Sequence, residues 1–234
     1  MFPCENRARN ACDIFYLGIV EYMECFELQK RLQEARIKGD IGDTVLLLQH
    51  DSVITLGKSG SRDNMIASES QLNDANVGII HSNRGGDISF HNHGQLVSYF
   101  IINLEEIHIS VYQCVRALEN VVIRLLHRFG IMAKGDSKHP GVWVGNDKIC
   151  ALGLNVSHGV TMHGFALNVN NDLSIASYIC PCGIRDKGVV SMSQILHRDV
   201  EIAEIIEPFL DDLEEVLGLD ITYCFADGGF WRFK

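Results

Sequence analysis

The sequence predicts an α/β (α+β) fold in which a mixed β-sheet is flanked by helices. Three observations lead there. β-rich and amphipathic helical segments interleave along the chain instead of segregating. Tight turns of glycine, asparagine and aspartate join several β-rich segments; these demand antiparallel neighbours and rule out a doubly wound, all-parallel sheet. The 234 residues are 47% hydrophobic and 21% charged, with four prolines and no Gly/Ser-rich divider, which suits one domain spanning 1–234 with a full core.

Taken in order, IFYLGIV from Ile14 reads as a strand. A helix follows over about Tyr22 to Lys38, with apolar residues at Met23, Phe26, Leu28, Leu32 and Ala35, and Gly39 ends it. TVLLLQH and SVITL are strands about a turn at Asp51. Ser68 and Gln71 have the spacing of a capping box that opens a short helix. VGIIHS and DISFH are strands on either side of Asn83-Arg84-Gly85-Gly86. Gln95 to Asn103 is apolar almost throughout, hence a buried strand. Ser110 and Gln113 make a second capping box. It opens a long helix with Val111, Cys114, Leu118, Val121, Val122, Leu125 and Leu126 on its buried side, stopped by Gly130. GVWV and KICALGLNV form a hairpin about Gly145-Asn146-Asp147, and GVTMHGFALNVN is the next strand. Asp199 is placed to cap a last helix reaching Leu217, bent or divided at Pro208.

Net charge is −10, which argues against nucleic acid as a partner. Apolar runs such as Val45 to Leu48 fall far short of the ~20 residues of a membrane span. The N-terminal stretch lacks the apolar centre of a signal peptide. A cytoplasmic protein that binds neither nucleic acid nor membrane is the expectation. The eight cysteines include no C-x-x-C and lie mostly in apolar stretches, where a reduced thiol acts as a small hydrophobe.

Two residues stand out chemically. Lys148 lies in GVWVGNDKICALG and Cys182 in PCGIRDKGV. A thiolate is a strong nucleophile and forms more readily beside a cation; a lysine supplies that cation and can later move the proton. Taken singly, Lys148 also reads as a solvent-facing lysine at a strand start, and Cys182 as a loop thiol. Arg84-Gly85-Gly86-Asp87-Ile88-Ser89-Phe90-His91 joins a glycine pair to a strand, which suits close backbone approach to a ligand or a plain turn. His91 and His93 would share one strand face. With Cys180 and Cys182 they make a zinc reading, although no third ligand has a recognised spacing. His163-Gly164-Phe165-Ala166 suits the wall of an apolar slot, or ordinary core packing.

Together, RGGDISFHNHGQLVSYFIINL, GVWVGNDKICALGL, HGFALNVNNDL and PCGIRDKGVVSMSQI, preceded by HDSVITLGKSGSRDNMI, resemble the lipoyl(octanoyl) transferases over about Ile14 to Leu196. The resemblance implies the catalytic fold of biotin and lipoate protein ligases. It implies transfer of an octanoyl group from octanoyl-acyl carrier protein to a lysine of lipoyl domains, without cofactor or metal. The acceptors it implies are 2-oxoacid dehydrogenase acyltransferase subunits and the H protein of glycine cleavage. The family's nucleophile falls on Cys182 and its activating lysine on Lys148. Its acyl-binding segments fall on Arg84 through His91, on Ala151-Leu152-Gly153 and on Gly164-Phe165-Ala166. One departure is His91-Asn92-His93-Gly94-Gln95, where the family usually has glycine and proline after the histidine; it bears on the pocket mouth. The rivals are an ATP-dependent ligase on the same fold, a non-catalytic carrier-binding protein and a zinc hydrolase.

Overall fold

A computed structural model describes residues 11–180, 188–226 and 229–231. In chain order the elements are β1 (Ala11–Ile19), α1 (Tyr22–Lys38), β2 (Asp43–Gln49), β3 (Val53–Leu56), α2 (Glu69–Asp74), β4 (Gly78–His81), β5 (Ile88–His91) and β6 (Gln95–Ile101). Then come α3 (Val111–Arg128), β7 (Lys134–Gly135), β8 (Gly141–Val144), β9 (Asp147–Ser157), β10 (Val160–Asn168), α4 (Met192–Leu196), α5 (Ile202–Leu217), β11 (Asp220–Ala226) and β12 (Gly229–Trp231).

Alternation along the strands decides the layering. In β2, Val45 and Leu47 join one core while Leu46 and Leu48 join another, and all four are buried. β2 therefore runs inside a sheet covered on both faces. Among the described residues that sheet has nine strands, in the order β12-β11-β1-β2-β6-β10-β9-β8-β7. β1 is parallel to both β11 and β2, and the remaining pairs are antiparallel, so the sheet is mixed as expected. A separate three-stranded sheet, β4-β3-β5, has no signature in the local sequence.

The α3 and α5 helices cover one face. Leu118, Val122 and Leu125 of α3 and Ile205, Phe209 and Leu213 of α5 pack there with Phe100 and Phe165. α1 covers the other face, where Cys25 meets Leu46, Leu48, Val97 and Ile101. The end of α1 is tied down by Arg36, which donates to Asp43 and Glu106 at 2.8 Å each. Gly39, at φ +79°, closes the helix, because a left-handed cap strains any residue with a Cβ.

Both capping boxes form, at Ser68/Gln71 and Ser110/Gln113. A third, Ser191/Gln194, opens α4, with the same spacing in SMSQ. Three expectations need correction. Glu201, not Asp199, caps α5: its backbone N–H donates to the Glu204 carboxylate at 2.8 Å. Pro208 does not divide α5, which runs unbroken from Ile202 to Leu217 with the proline inside it. Val111 is 44% exposed instead of buried, and its neighbours Tyr112 and Gln113 are exposed with it, so the buried side of α3 begins at Cys114.

Candidate active site

β8 pairs with β9 only as far as Gly141↔Ala151. Along the other edge of β9, Ala151 pairs with Ala166 and Gly153 with Gly164. Four of the smallest residues thus form neighbouring cross-strand pairs, and little side-chain volume fills the space beside them. A cavity of about 280 Å³ lies there. It is lined by Arg84, Gly85, Gly86, Asp87, Ile88, Ser89, His91, Lys148, Ala151, Leu152, Gly153, Gly164, Phe165 and Ala166. The Phe165 ring packs among Phe100 and Phe209 in the core, with centroids 5.7 Å from each.

The Arg84-Gly85-Gly86 loop is seated on β9 by backbone contact. Gly85 N–H donates to Leu154 O at 2.9 Å, and a Cβ on Gly153 would lie 2.5 Å from Gly85 O. The residue 57–59 loop straps it from the other side: the N–H groups of Gly57, Lys58 and Ser59 donate to the carbonyls of Asp87, Arg84 and Gly86. The Arg84 guanidinium is held on Thr55, with Nη2 2.7 Å from Thr55 O and 2.8 Å from Oγ1. The paired glycines thus serve close approach between two chain segments.

Phe90 departs from its expected place. Along β5, residue alternation sends Ser89 and His91 to the cavity and Phe90 the other way, into the core of Ile54, Leu72, Ile175 and Ile179. Phe90 reaches only a side void of about 40 Å³ that it shares with Ile88, Lys148 and Val189.

Lys148 is 8% exposed, so the solvent-facing reading fails. The β8–β9 register shifts between Val142↔Cys150 and Trp143↔Lys148. Ile149 is therefore an extra residue, and such a bulge re-aims the side chain beside it. Strict alternation would send Lys148 the way of Cys150, into the core; instead it lines the cavity with Ala151 and Gly153. Its Nζ donates to Pro140 O at 3.4 Å and stands 4.7 Å from the centre of the Trp143 ring.

Cys182 lies outside the described residues. The chain on both sides of it is described. Cys180 N–H donates to Asn64 O at 2.7 Å. After the gap, Gly188 O accepts from Lys148 N–H at 2.9 Å, and Val190 N–H donates to Lys148 O at 3.1 Å. Residues 188–190, which follow Cys182 in the chain, thus pair with Lys148. Cys12, Cys25, Cys114 and Cys150 are buried. Burial pushes the Cys25 and Cys114 thiols up to about 12, and raises Cys150 as well. These four are packing residues.

The cavity also takes in Tyr22, Tyr99, Val111, Val115, Pro140, Leu154 and His163, which motif reading missed. Tyr22, Tyr99 and His163 belong to a buried ring cluster with His50 and His91. The missed signal is a set of polar aromatics scattered through apolar strands, each of which needs a partner when buried. His50 Nδ1 meets Val20 O at 2.6 Å, and Tyr99 O–H donates to His50 Nε2 at 2.8 Å. His91 Nδ1 meets Gln95 Oε1 at 2.9 Å, and His163 Nε2 meets Asn83 Oδ1 at 2.6 Å. His93 does not share this setting: β5 ends at His91, and His93 is exposed, 2.8 Å from Asp51. Among the described residues, no group of three or more His, Cys, Asp and Glu is placed to hold a metal ion. Asn92, at the family departure, is buried and donates to Asp172 O at 2.7 Å, so it braces the turn instead of lining the cavity.

The lipoyl protein ligase A/B catalytic domain matches residues 21–214. The chain belongs to that family. The octanoyltransferase of Caldicellulosiruptor bescii is 42% identical over 212 residues, covering 90% of this chain and 93% of that protein. The octanoyltransferase of Dictyoglomus thermophilum is 44% identical over 215 residues, covering 92% and 88%. A crystal structure of lipoate-protein ligase A bound with ATP superposes with a TM-score of 0.72 at 16% identity, covering 89% of this chain and 87% of that one. Biotin protein ligase from Aquifex aeolicus gives 0.51 at 16%, covering 88% and 69%. The two structures speak for the fold alone, which is the catalytic fold of the biotin and lipoate ligases. Among the described residues of this lipoyl ligase A/B domain, no helix is long and apolar enough to cross a membrane.

The histidines give the domain an acid-sensitive centre. Burial lowers His50 to about 4 and His163 to about 3, and lowers His91 well below the usual value near 6.5. The unfolded chain therefore binds protons that the folded one refuses, and each tenfold difference in proton affinity is worth roughly 1.4 kcal/mol. The stability they contribute is complete above about pH 6.5 and is lost as pH falls toward 4 and 3. Denaturant midpoints should drop steeply over that window, and less steeply in His50→Gln.

Proposed function

We propose that this chain moves an octanoyl group from octanoyl-acyl carrier protein to a lysine of lipoyl-accepting domains, through a thioester on Cys182. This is the first step of protein lipoylation. The acceptors are the acyltransferase subunits of 2-oxoacid dehydrogenases and the glycine cleavage H protein. The observation that carries the reading is an apolar slot beside small-residue strand pairs, with a buried lysine among its lining residues. Relatives above 40% identical that bear the name octanoyltransferase support it.

Lys148 places positive charge where the Cys182 thiolate forms, which lowers the cost of that thiolate. The thiolate attacks the carbonyl of the carrier thioester. A C–S bond forms to Cys182, the C–S bond to the carrier breaks, and the carrier thiol leaves with the proton of the Lys148 ammonium, which becomes neutral. Backbone N–H groups near Leu152 and Gly153 are candidates to meet the oxyanion. The neutral amine of the acceptor lysine then attacks the new thioester. The C–N bond forms, the Cys182 C–S bond breaks, and neutral Lys148 takes the amine's proton. Thioester exchange is nearly neutral and amide formation runs downhill, so no ATP is required. Each buried CH₂ of the chain adds about 0.8 kcal/mol of binding, which selects against much shorter acyl groups.

The deciding experiment is intact-protein mass spectrometry after mixing enzyme with octanoyl-acyl carrier protein, without ATP or acceptor. One octanoyl adduct is expected in the wild type, absent in Cys182→Ala and discharged by a lipoyl domain. If no adduct forms, and the acceptor is modified only with free octanoate and ATP, the chain is a ligase and Cys182 is not its nucleophile.

A further inference from the structure

We propose that Glu119 is a positioning residue for Lys148 and acts through a single peptide group; this rests on the reading of Lys148 above. Glu119 belongs to α3 and is 2% exposed. Its Oε1 accepts from Gly141 N–H at 2.8 Å, and its Oε2 pairs with Arg116 at 2.7 Å. The N–H of Gly141 and the C=O of Pro140 belong to one amide. In a trans peptide they point in opposite directions, and no cis peptide bond occurs among the described residues. The ammonium of Lys148 bonds that carbonyl from the far side at 3.4 Å. The series runs carboxylate, N–H, C=O, ammonium. A charged acceptor on the N–H polarises the amide and strengthens its carbonyl as an acceptor, as in any hydrogen-bonded chain.

The surroundings hold this amide in place. Gly141 has φ +133°, and a Cβ there would meet Cys150 O at 2.6 Å, so the peptide passes where only glycine fits. The Lys148 stem packs close to Gly141, and Trp143, whose ring underlies the ammonium, donates its Nε1–H to His139 O at 3.2 Å. The charges about Glu119 fit the same picture. Burial raises its pKa, whereas the Gly141 N–H, Arg116 and Lys148 favour the carboxylate, with Asp136 opposing them. A buried carboxylate that served only to staple α3 to β8 would not need to face the amide that holds the lysine.

The test compares wild type, Glu119→Gln and Glu119→Asp. Glutamine keeps the length and removes the charge; aspartate keeps the charge and draws it back by one carbon. The first readout is transfer kinetics: kcat should fall about tenfold or more in both variants, with KM for the acceptor within about threefold. The second readout needs no function assignment. Trace acetic anhydride is used to label lysines, and peptide mass spectrometry gives the rate at Lys148 relative to exposed Lys38. That ratio should rise at least several-fold in Glu119→Gln, measured well below its melting temperature. Wild-type kcat with an unchanged ratio overturns the proposal, as does a lower melting temperature with an unchanged ratio. If Glu119→Gln does not fold, Glu119→Asp decides by the same two readouts. If the wild type transfers no octanoyl group, the functional reading falls and the labelling ratio still judges Glu119.

Discussion

Replacing Lys148 with methionine lowers octanoyl transfer by about 10²–10⁴-fold, the range seen when a positioned proton-transfer group is lost. Methionine suits the test because it keeps an unbranched apolar stem. The stem occupies a nearly closed site: Lys148 is 8% exposed and packs near Gly141. Stability should hold within about 1 kcal/mol, because a buried ammonium carries a desolvation cost that the variant escapes. Under the mechanism proposed above the loss should fall on both half-reactions, since there Lys148 both stabilises the thiolate and later receives the acceptor's proton. Alkylation of Cys182 by iodoacetamide across pH isolates the first role. The variant should need a higher pH to react at the wild-type rate. Unchanged alkylation at every pH, together with a large loss of transfer, would confine Lys148 to the second step.

Gly164→Ala destabilises the protein by about 3 kcal/mol or more, at the upper end for overpacking in a core. The space is already taken: a Cβ at Gly164 would lie 2.1 Å from Ser98 O and 2.6 Å from the Phe100 ring. Ser98 O is backbone of β6, and Phe100 is fully buried, so neither neighbour yields cheaply. For a chain of this size the melting temperature should fall by roughly 6–12 °C. The neighbour beyond Gly164 is His163, at φ +64°, a conformation that is costly for a residue with a Cβ. Calorimetry on Gly164→Ala checks the prediction. A change under 1 kcal/mol would mean that β6 and β10 separate more easily than their packing implies.

Much of this molecule is readable from local sequence. Helix ends are legible because a serine three residues before a glutamine satisfies orphan backbone N–H groups wherever it occurs, and the Ser68 and Ser110 boxes both form. The same rule holds at Ser191. Strands β2, β6 and β10 are visible as apolar runs. The resemblance motifs supply the segments that meet at the cavity, and the structure brings Arg84, Gly85, Gly86, Ala151, Gly153, Gly164 and Ala166 together around it. Tyr22, Tyr99 and His163 are not legible in this way, because their partners stand far away in the chain. Tyr22 bonds Ser82, Tyr99 bonds His50, and His163 bonds Asn83.

Local sequence settles the elements, their caps, and the residue types able to do acyl chemistry. Those depend on periodicity and on neighbours a few positions apart. Which way each residue faces is a matter of tertiary packing. A single extra residue at Ile149 turns Lys148 from the core to the cavity. Strand alternation sends Phe90 away from the slot that Ser89 and His91 line. The cavity itself comes from register, because it lies beside Ala151 paired with Ala166 and Gly153 paired with Gly164. Register is a property of two strands together, set by packing across the sheet, and a one-residue slip reverses every side chain on a strand.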